Sequence, residues 1–253
     1  MSVLARPTTA KPTVVIVHGA FADASGFAAV IDRLRNDGYP VRAAPNPLVD
    51  LEFDAATVRG FLDSIEGPKI VVGHSYGGAV ITRAASGDPD VKALVYLAAL
   101  APDRGEVLGK LIETPVAHPP APLPLIPVNV TQADGTQRTD LYLDPSKFRD
   151  RFAADVPQRV ADDLAATQRP IGEAAFTSTL TAEPAWKTIP SWYLVAKQDQ
   201  AIAPDLERFM ARRIHARTSQ INGSHAVYVS HPKAVADLVE QAARATATDG
   251  IRT

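Results

Sequence analysis

The sequence contains no cysteine, has a formal net charge of only -2 over 253 residues, and has no apolar run approaching the roughly 20 residues that span a bilayer. The first absence excludes disulfides, thiolate metal sites and a cysteine nucleophile. The small net charge leaves no basic stripe that could neutralise nucleic-acid phosphates or anionic lipid. We therefore expect neither nucleic acid nor a membrane surface as a partner.

The first eleven residues also lack the apolar segment of a secretory signal, so we expect a cytoplasmic protein. Apolar residues make up 46% of the composition and charged residues 21%, which is ordinary globular usage and not the composition of a disordered chain. A chain of this length can bury one substantial core. These proportions predict one main folded domain, and they leave the oligomeric state open.

Short β-branched runs alternate with segments rich in helix formers. The strand-like runs are residues 14–17, 70–72, 93–97, 192–195 and 218–221. The helix-like segments are residues 26–34, 55–65, 79–85, 205–214 and 234–245. Continuously apolar strands are typical of a parallel sheet that is buried on both faces. The alternation predicts an α/β fold, doubly wound around a mainly parallel central sheet.

The alternation stops after residue 97 and resumes near Ile189, an interval too long for a plain loop in a compact domain. We predict a core domain made of residues 1–102 and 189–253. Residues 103–188 are predicted to form an inserted cap over the carboxyl edge of the sheet, where ligands bind in open α/β folds.

The interior of the predicted cap has its own pattern. Residues 115–127 are rich in proline, which favours an extended chain. Two strand-like segments, residues 128–130 and 141–143, flank Asp134-Gly135, a dipeptide suited to a hairpin turn. Residues 150–166 are rich in helix formers. The pattern predicts a β-hairpin followed by a helix.

Residues 73–77 read G-H-S-Y-G, which matches G-x-S-x-G between a predicted strand and a predicted helix. A serine on so sharp a turn has a strained backbone, and glycines on either side let the turn close. This context is typical of a nucleophile elbow. Ser75 is therefore the predicted nucleophile.

A serine hydroxyl needs a neighbouring base and a group that orients the base. His225 lies in the loop before the final helix, where this kind of fold places its base, whereas His231 directly precedes a proline and reads as the start of that helix. Asp199 follows the strand-like run at residues 192–195, and the chain order Ser, Asp, His favours it as the acid. Asp103 also follows a strand and stays open as an alternative.

An acyl-transfer transition state gathers negative charge on one oxygen, which fixed backbone N–H groups can stabilise. One donor follows the nucleophile, which gives Tyr76. The other is expected in the loop after the first strand, where we favour the N–H of Ala20, with Phe21 as the fallback. Ala20 and Tyr76 are therefore the predicted oxyanion hole.

Taken together, these motifs resemble the α/β-hydrolase superfamily. The sequences of residues 18–27 and 73–81 are similar to those of the small capped esterase branch that includes methyl-salicylate esterases and hydroxynitrile lyases. The resemblance implies a sheet of about six strands, an inserted cap, and no metal or organic cofactor. It also implies for the five predicted residues the roles given above.

Hydroxynitrile lyases of this branch carry lysine directly after the catalytic histidine and threonine in place of the glycine at the strand end. This sequence has Ala226 and Gly19 at those positions, which disfavours a lyase. We predict a serine hydrolase that cleaves small apolar carboxylic esters through an acyl-enzyme. The alternatives are a lyase, a carbon–carbon hydrolase or a cofactor-free perhydrolase on the same triad, or a receptor-like binding protein that retains the scaffold. Apolar cap residues that could line the substrate pocket are Leu123, Leu125, Ile126, Phe148, Phe152 and Trp186.

Overall fold

A computed structural model describes residues 11–247. The strands are β1 (Thr13–Val17), β2 (Val41–Ala43), β3 (Lys69–His74), β4 (Val91–Leu97), β5 (Leu125–Thr131), β6 (Gln137–Leu143), β7 (Ile171–Gly172), β8 (Ser191–Ala196) and β9 (Arg217–Ile221). The α-helices are α1 (Ala28–Asn36), α2 (Leu51–Asp63), α3 (Tyr76–Ala84), α4 (Leu108–Ile112), α5 (Pro145–Phe152), α6 (Gln158–Thr167), α7 (Ala174–Thr177), α8 (Pro204–Arg213), α9 (Val227–Ser230) and α10 (Pro232–Ala247).

The central sheet contains six strands in the order β2-β1-β3-β4-β8-β9, and every neighbouring pair is parallel. Its register aligns Ile16 with Val72, Val72 with Val95, and Val95 with Trp192. Helices α3 and α10 pack against the sheet, and each packs with a second helix, α3 with α2 and α10 with α1. The predicted doubly wound α/β fold is confirmed.

The middle of the sheet forms because its strands are apolar on both faces. All six residues of β3 are buried, and in β4 only Lys92 is exposed. Burying a valine, leucine or isoleucine side chain contributes about 1.5–3 kcal/mol each. Since the carboxyl ends of parallel strands meet at one edge, this core carries the loops after β1, β3, β8 and β9 to a common place.

Some element boundaries differ from the sequence prediction. Helix α2 begins at Leu51, four residues earlier than expected, because the Asp50 side chain accepts a hydrogen bond from the Phe53 N–H at 2.9 Å and caps the helix. The helix predicted at residues 150–166 is two helices, with a break at residues 153–157. Strand β2 was not predicted, since it has three residues and only Val41 is buried.

Residues 103–188, which we call the inserted segment, contain a small sheet of their own. Strands β5 and β6 pair in antiparallel fashion and β7 joins the far side of β6. The turn between β5 and β6 is closed by the Gln132 N–H, which donates to the Thr136 carbonyl at 2.8 Å. The predicted hairpin around Asp134 is thus confirmed, whereas the division into a core domain and a cap stays a prediction.

Among the helices within residues 11–247, none combines the length and the apolar character needed to cross a bilayer.

Candidate active site

Ser75 lies on the turn between β3 and α3, and its backbone has φ 54° and ψ -124°. A non-glycine residue in this left-handed region carries strain of about 1–3 kcal/mol, which the surrounding structure must hold. The Ser75 carbonyl accepts the Gly78 N–H at 2.9 Å and the Leu100 N–H at 3.0 Å. These bonds fix the turn at the carboxyl edge of the sheet, with Ser75 only 9% exposed.

Three glycines leave room for this turn. A Cβ on Gly73 would lie 2.6 Å from the Gly77 carbonyl oxygen, and a Cβ on Gly77 would lie 2.5 Å from the Val17 carbonyl oxygen. A Cβ on Gly19 would lie 2.6 Å from the Cβ of Ser75. All three separations are shorter than real Cβ contacts, so any side chain here displaces the turn. The glycines of the motif are therefore required by close backbone approach.

His225 and Asp199 form a buried pair beside this turn. Nδ1 of His225 lies 2.5 Å from Oδ2 of Asp199, and the two side chains are 1% and 0% exposed. The other oxygen, Oδ1, accepts the N–H groups of Ala201 at 2.6 Å and Ile202 at 2.9 Å. Because these bonds fix the carboxylate, it orients the imidazole and leaves Nε2 as the nitrogen available to a group in the cavity.

Asp103, the alternative acid, is placed elsewhere. Its carboxylate pairs with Nζ of Lys187 at 3.0 Å, and its side chain is 36% exposed. The cavity that contains Ser75 and His225 is not lined by Asp103. The structure therefore brings Asp199, and not Asp103, into contact with His225.

The inserted segment holds the loop that carries His225. The N–H of Ala226 donates to the carbonyl of Phe152 at 2.8 Å. On the other side of His225, the hydroxyl of Ser224 donates to the carboxylate of Asp155. The loop is thus bonded to the inserted segment on both sides of the histidine, which sequence reasoning did not find because the partners are about 70 residues apart.

His74, the residue before the predicted nucleophile, also contacts this loop. Its Nε2 donates to the carbonyl of His225 at 3.0 Å, and its Nδ1 is buried with no hydrogen-bond partner among residues 11–247. Burial, together with the neighbouring His225, lowers the pKa of His74 well below its usual value. His74 is therefore a neutral imidazole that holds the His225 backbone. The sequence places His74 only in the elbow motif and gives no sign of this contact.

The backbone hydrogen bonds near Ser75 distinguish between Ala20 and Phe21, the two candidates for the oxyanion donor in the loop after β1. The N–H of Phe21 donates to the carbonyl of Arg169 at 3.1 Å, so it is not free for a substrate oxygen. The N–H groups of Ala20 and Tyr76 donate to no protein atom in the part of the chain that the structure describes. Both residues line the cavity together with Ser75. The geometry favours Ala20 over the fallback.

The side chain of Tyr76 has a separate, buried partner. Its hydroxyl donates to Oδ2 of Asp54 at 2.7 Å, and Oδ1 of Asp54 accepts the Val49 N–H at 3.0 Å. Asp54 is fully buried, and burial raises its pKa to about 6 despite these two bonds. Burial and the nearby Asp54 charge also raise the pKa of Tyr76. Helix α2 thus anchors the first residue of α3 through a carboxyl group that the sequence did not reveal.

This carboxyl group makes stability depend on pH in a defined window. The unfolded chain ionises Asp54 near its ordinary pKa of about 4, while the folded protein holds the proton to about 6. The Asp54 contribution is therefore present below about pH 4 and lost as the pH rises through about 6. We expect the stability of Asp54→Asn to lack this slope, so the difference in unfolding free energy between wild type and variant should fall as the pH rises from about 4 to about 6. Urea unfolding across the window measures it.

Asp63→Asn is the matched control, because Asp63 lies on the same helix but is largely exposed. It should leave the pH dependence of the wild type in place. Parallel stability curves for the wild type and Asp54→Asn between pH values of about 4 and 6 would contradict the assignment.

Ser75, Tyr76, Ala20 and His225 line one cavity of about 670 Å³. Much of its remaining wall comes from the inserted segment. Apolar residues of that segment on the wall include Leu108, Ile112, Val116, Leu123, Leu125, Phe152 and Phe176. Glu113 is the carboxylate on the wall, and it is exposed. The site is therefore a mostly apolar pocket with a hydroxyl, an imidazole and free backbone N–H groups at its base.

The six predicted pocket residues divide into two groups. Leu123, Leu125 and Phe152 line the cavity. The other three lie outside it: Ile126 is 44% exposed on β5, Phe148 is buried in the core, and the Trp186 indole donates to a backbone carbonyl. Within residues 11–247, no group of three or more histidine, aspartate or glutamate side chains is placed to hold a metal ion.

The parallel six-stranded sheet, with a serine on a strained turn at its carboxyl edge, defines an α/β enzyme of the hydrolase type. The sequence matches the α/β hydrolase family over residues 14–238, and the chain belongs to that family. The resemblance found in the motifs is thereby confirmed.

Several characterised proteins are similar to this chain. A pyrethroid hydrolase from Sphingobium wenxiniae is 29% identical over 92% of this chain and 88% of its own. A crystal structure of a pyrethroid hydrolase has a TM-score of 0.74 at 26% identity and covers 93% of this chain and 99% of its own. Polyneuridine aldehyde esterase shares the fold, with a TM-score of 0.77 at 16% identity over 91% of this chain and 98% of its own. The chain is thus a hydrolase with relatives of the esterase type.

Proposed function

We propose that this hydrolase cleaves small, apolar carboxylic esters through a covalent acyl-enzyme on Ser75. The observation that carries the proposal is the arrangement of side chains at the bottom of the cavity. Ser75 and His225 line the same mostly apolar pocket, and Nδ1 of His225 is 2.5 Å from a fully buried Asp199 carboxylate. A hydroxyl, an oriented imidazole and a fixed acid are the groups that nucleophilic acyl transfer requires.

In the first half of the reaction, Oγ of Ser75 attacks the ester carbonyl carbon while Nε2 of His225 takes the hydroxyl proton. Negative charge develops on the carbonyl oxygen, where the N–H groups of Ala20 and Tyr76 are free to donate. When the intermediate collapses, the bond to the alcohol breaks and His225 returns the proton to the leaving oxygen. Asp199 stabilises the imidazolium between these two proton transfers.

The second half repeats the chemistry with water. His225 takes a proton from a water molecule, whose oxygen attacks the acyl carbon on Ser75. Collapse breaks the bond to Oγ, and His225 gives the proton back to the serine. The products are a carboxylic acid and an alcohol, and the enzyme is regenerated without a cofactor.

The wall of the cavity supports a neutral, apolar substrate. The inserted segment contributes mainly leucine, isoleucine, valine, proline and phenylalanine side chains, and the carboxylate of Glu113 disfavours an anionic acyl group. A volume of about 670 Å³ admits a small-molecule ester. The names of the pyrethroid hydrolase and the polyneuridine aldehyde esterase are consistent with this class of substrate.

The surroundings of the serine also disfavour the lyase alternative. A threonine at the position of Gly19 has no room, because even a Cβ there would lie 2.6 Å from the Cβ of Ser75. The position after His225 is Ala226, which is fully buried and supplies no cation to the cavity. The lysine and threonine that the resemblance implies for a lyase are therefore both absent.

The proposal is tested with p-nitrophenyl esters of graded acyl length. We expect turnover with a pre-steady-state burst of p-nitrophenol, covalent labelling by a fluorophosphonate, and a kcat/KM that rises with acyl length until the cavity is filled. A succinyl ester is the matched anionic probe for the butyryl ester, and it should react more slowly. A pyrethroid belongs in the panel because of the relative's name. Stoichiometric binding without turnover of any ester would instead favour a receptor-like protein.

A further inference from the structure

A second buried acid lies behind Asp199. Glu207 is on α8 (Pro204–Arg213), and both carboxyl groups are 0% exposed. Ala196 connects the two residues, because its N–H donates to Oε2 of Glu207 at 3.1 Å and its carbonyl accepts the Asp199 N–H at 3.2 Å. The charge of Asp199 and a hydrogen bond with its side chain are among the causes that raise the pKa of Glu207. Two acidic side chains therefore meet in a place that water does not reach, and nothing in the reaction proposed above uses Glu207.

Of the four carboxyl oxygens of Glu207 and Asp199, three accept a hydrogen bond from an N–H group and one does not. Oε2 of Glu207 accepts the Ala196 N–H at 3.1 Å. Asp199 accepts the N–H groups of Ala201 and Ile202 and the imidazole bond described above. Oε1 of Glu207 is buried and has no N–H or O–H partner within residues 11–247. A hydrogen bond from Oε1 to Asp199 requires a proton on Glu207.

Glu207 forms no ion pair with a cation in the part of the chain that the structure describes, and the charge of Arg208 lowers its pKa less than burial and Asp199 raise it. Tyr193 faces it from β8, but the tyrosine hydroxyl donates to a backbone carbonyl. Arg208, the next residue of α8, pairs with Asp205 at 2.8 Å. Burial, followed by the charge of Asp199, raises the pKa of Glu207 well above its usual value. A neutral carboxyl group satisfies both the missing bond and the charge balance.

We infer that Glu207 is a positioning residue, which stays protonated and donates a hydrogen bond from Oε1 to the Asp199 carboxylate that holds His225. This inference rests on the proposed function, since it takes Asp199 as the acid that orients the base. Glu207 touches neither substrate nor Ser75. It acts by giving the carboxylate one more fixed donor while adding no second negative charge beside it.

The inference predicts opposite outcomes for Glu207→Gln and Glu207→Leu, because only glutamine can replace the hydrogen bonds of the protonated acid. The glutamine amide donates to Asp199 and accepts from the Ala196 N–H, so it reproduces both bonds of the protonated acid at every pH. Leucine has a similar volume but supplies neither bond. If Glu207 were ionised, by contrast, the amide would not be an equivalent replacement.

The protonation state is measured by infrared spectroscopy, which does not depend on turnover. At about pH 8, well above the Asp54 pKa of about 6, we expect a protonated carboxyl C=O band in the wild type and in Ser75→Ala, and its loss in Glu207→Gln. Failure of Ser75→Ala to lose activity would count against the proposed function and leave this result intact. Absence of a band that Glu207→Gln removes would overturn the inference.

The positioning role is measured by kinetics on an activated ester. We expect Glu207→Gln to keep kcat within about threefold of the wild type, and Glu207→Leu to lower kcat about 10- to 100-fold with KM unchanged. The acidic limb of the Glu207→Leu pH profile should move to higher pH, because an Asp199 carboxylate without its neutral donor attracts the imidazolium more strongly.

Two kinetic results would overturn the positioning role. One is a Glu207→Leu enzyme with the kcat and acidic limb of the wild type. The other is a Glu207→Gln enzyme as impaired as a folded Glu207→Leu, since it would show that the carboxyl group must be charged. If Glu207→Leu fails to fold, the infrared band and the Glu207→Gln profile decide the question.

Discussion

Replacement of Ser75 by alanine is expected to lower kcat for ester hydrolysis by about 10⁴-fold or more. The Cβ remains, so the backbone at φ 54° and the walls of the cavity are unchanged, and only the hydroxyl that attacks in the proposed mechanism is lost. The proposed acyl-enzyme then has no oxygen on which to form, and the free N–H groups of Ala20 and Tyr76 can only polarise a carbonyl for water. Steady-state hydrolysis of an activated ester and fluorophosphonate labelling measure the loss.

Ser219→Ala serves as the matched control, because Ser219 is exposed on β9 at the edge of the central sheet. It should retain full turnover and labelling. Persistent labelling of Ser75→Ala would show that another residue is the nucleophile. Unchanged KM in any residual activity would indicate that the pocket still binds substrate.

The sequence was sufficient for those parts of the site that local backbone chemistry determines. Ser75 could be found because a left-handed turn with no space for a Cβ at its flanks leaves a glycine pattern in the sequence. Positions 199 and 225 could be proposed because parallel strands carry the loops that follow them to one edge. Chain order favours Asp199 over Asp103, and the contact between Asp199 and His225 supports the same choice.

Other parts left no local signal. Asp54 reads as an ordinary acid in the first turn of α2, and only tertiary packing buries it against Tyr76. Glu207 likewise reads as a solvated residue of a charged helix, although it is fully buried. Strand β2 has one buried residue, and it exists because β1 offers it a pairing edge. In each case the deciding partner is distant along the chain.

Asp199→Asn is expected to lower kcat by about 10³- to 10⁴-fold while KM changes little. An amide has a single acceptor oxygen, and the backbone N–H groups of Ala201 and Ile202 already point at Oδ1. If that oxygen keeps those two bonds, the NH₂ group faces Nδ1 of His225. The imidazole must then accept at Nδ1 and hold its proton on Nε2, so it cannot take a proton from Ser75. An imidazolium formed later would also lack its buried counter-charge.

Asp103→Asn is the control that the chain itself provides, because Asp103 was the competing candidate and pairs with Lys187 away from the cavity. It should retain wild-type kcat and lose at most about 1 kcal/mol of stability from a partly exposed ion pair. Steady-state kinetics of both variants at several pH values measures the contrast. Equal losses of kcat in the two variants would mean that Asp199 acts through folding. A loss of kcat confined to Asp199→Asn would instead show that turnover depends on the buried contact between Asp199 and His225.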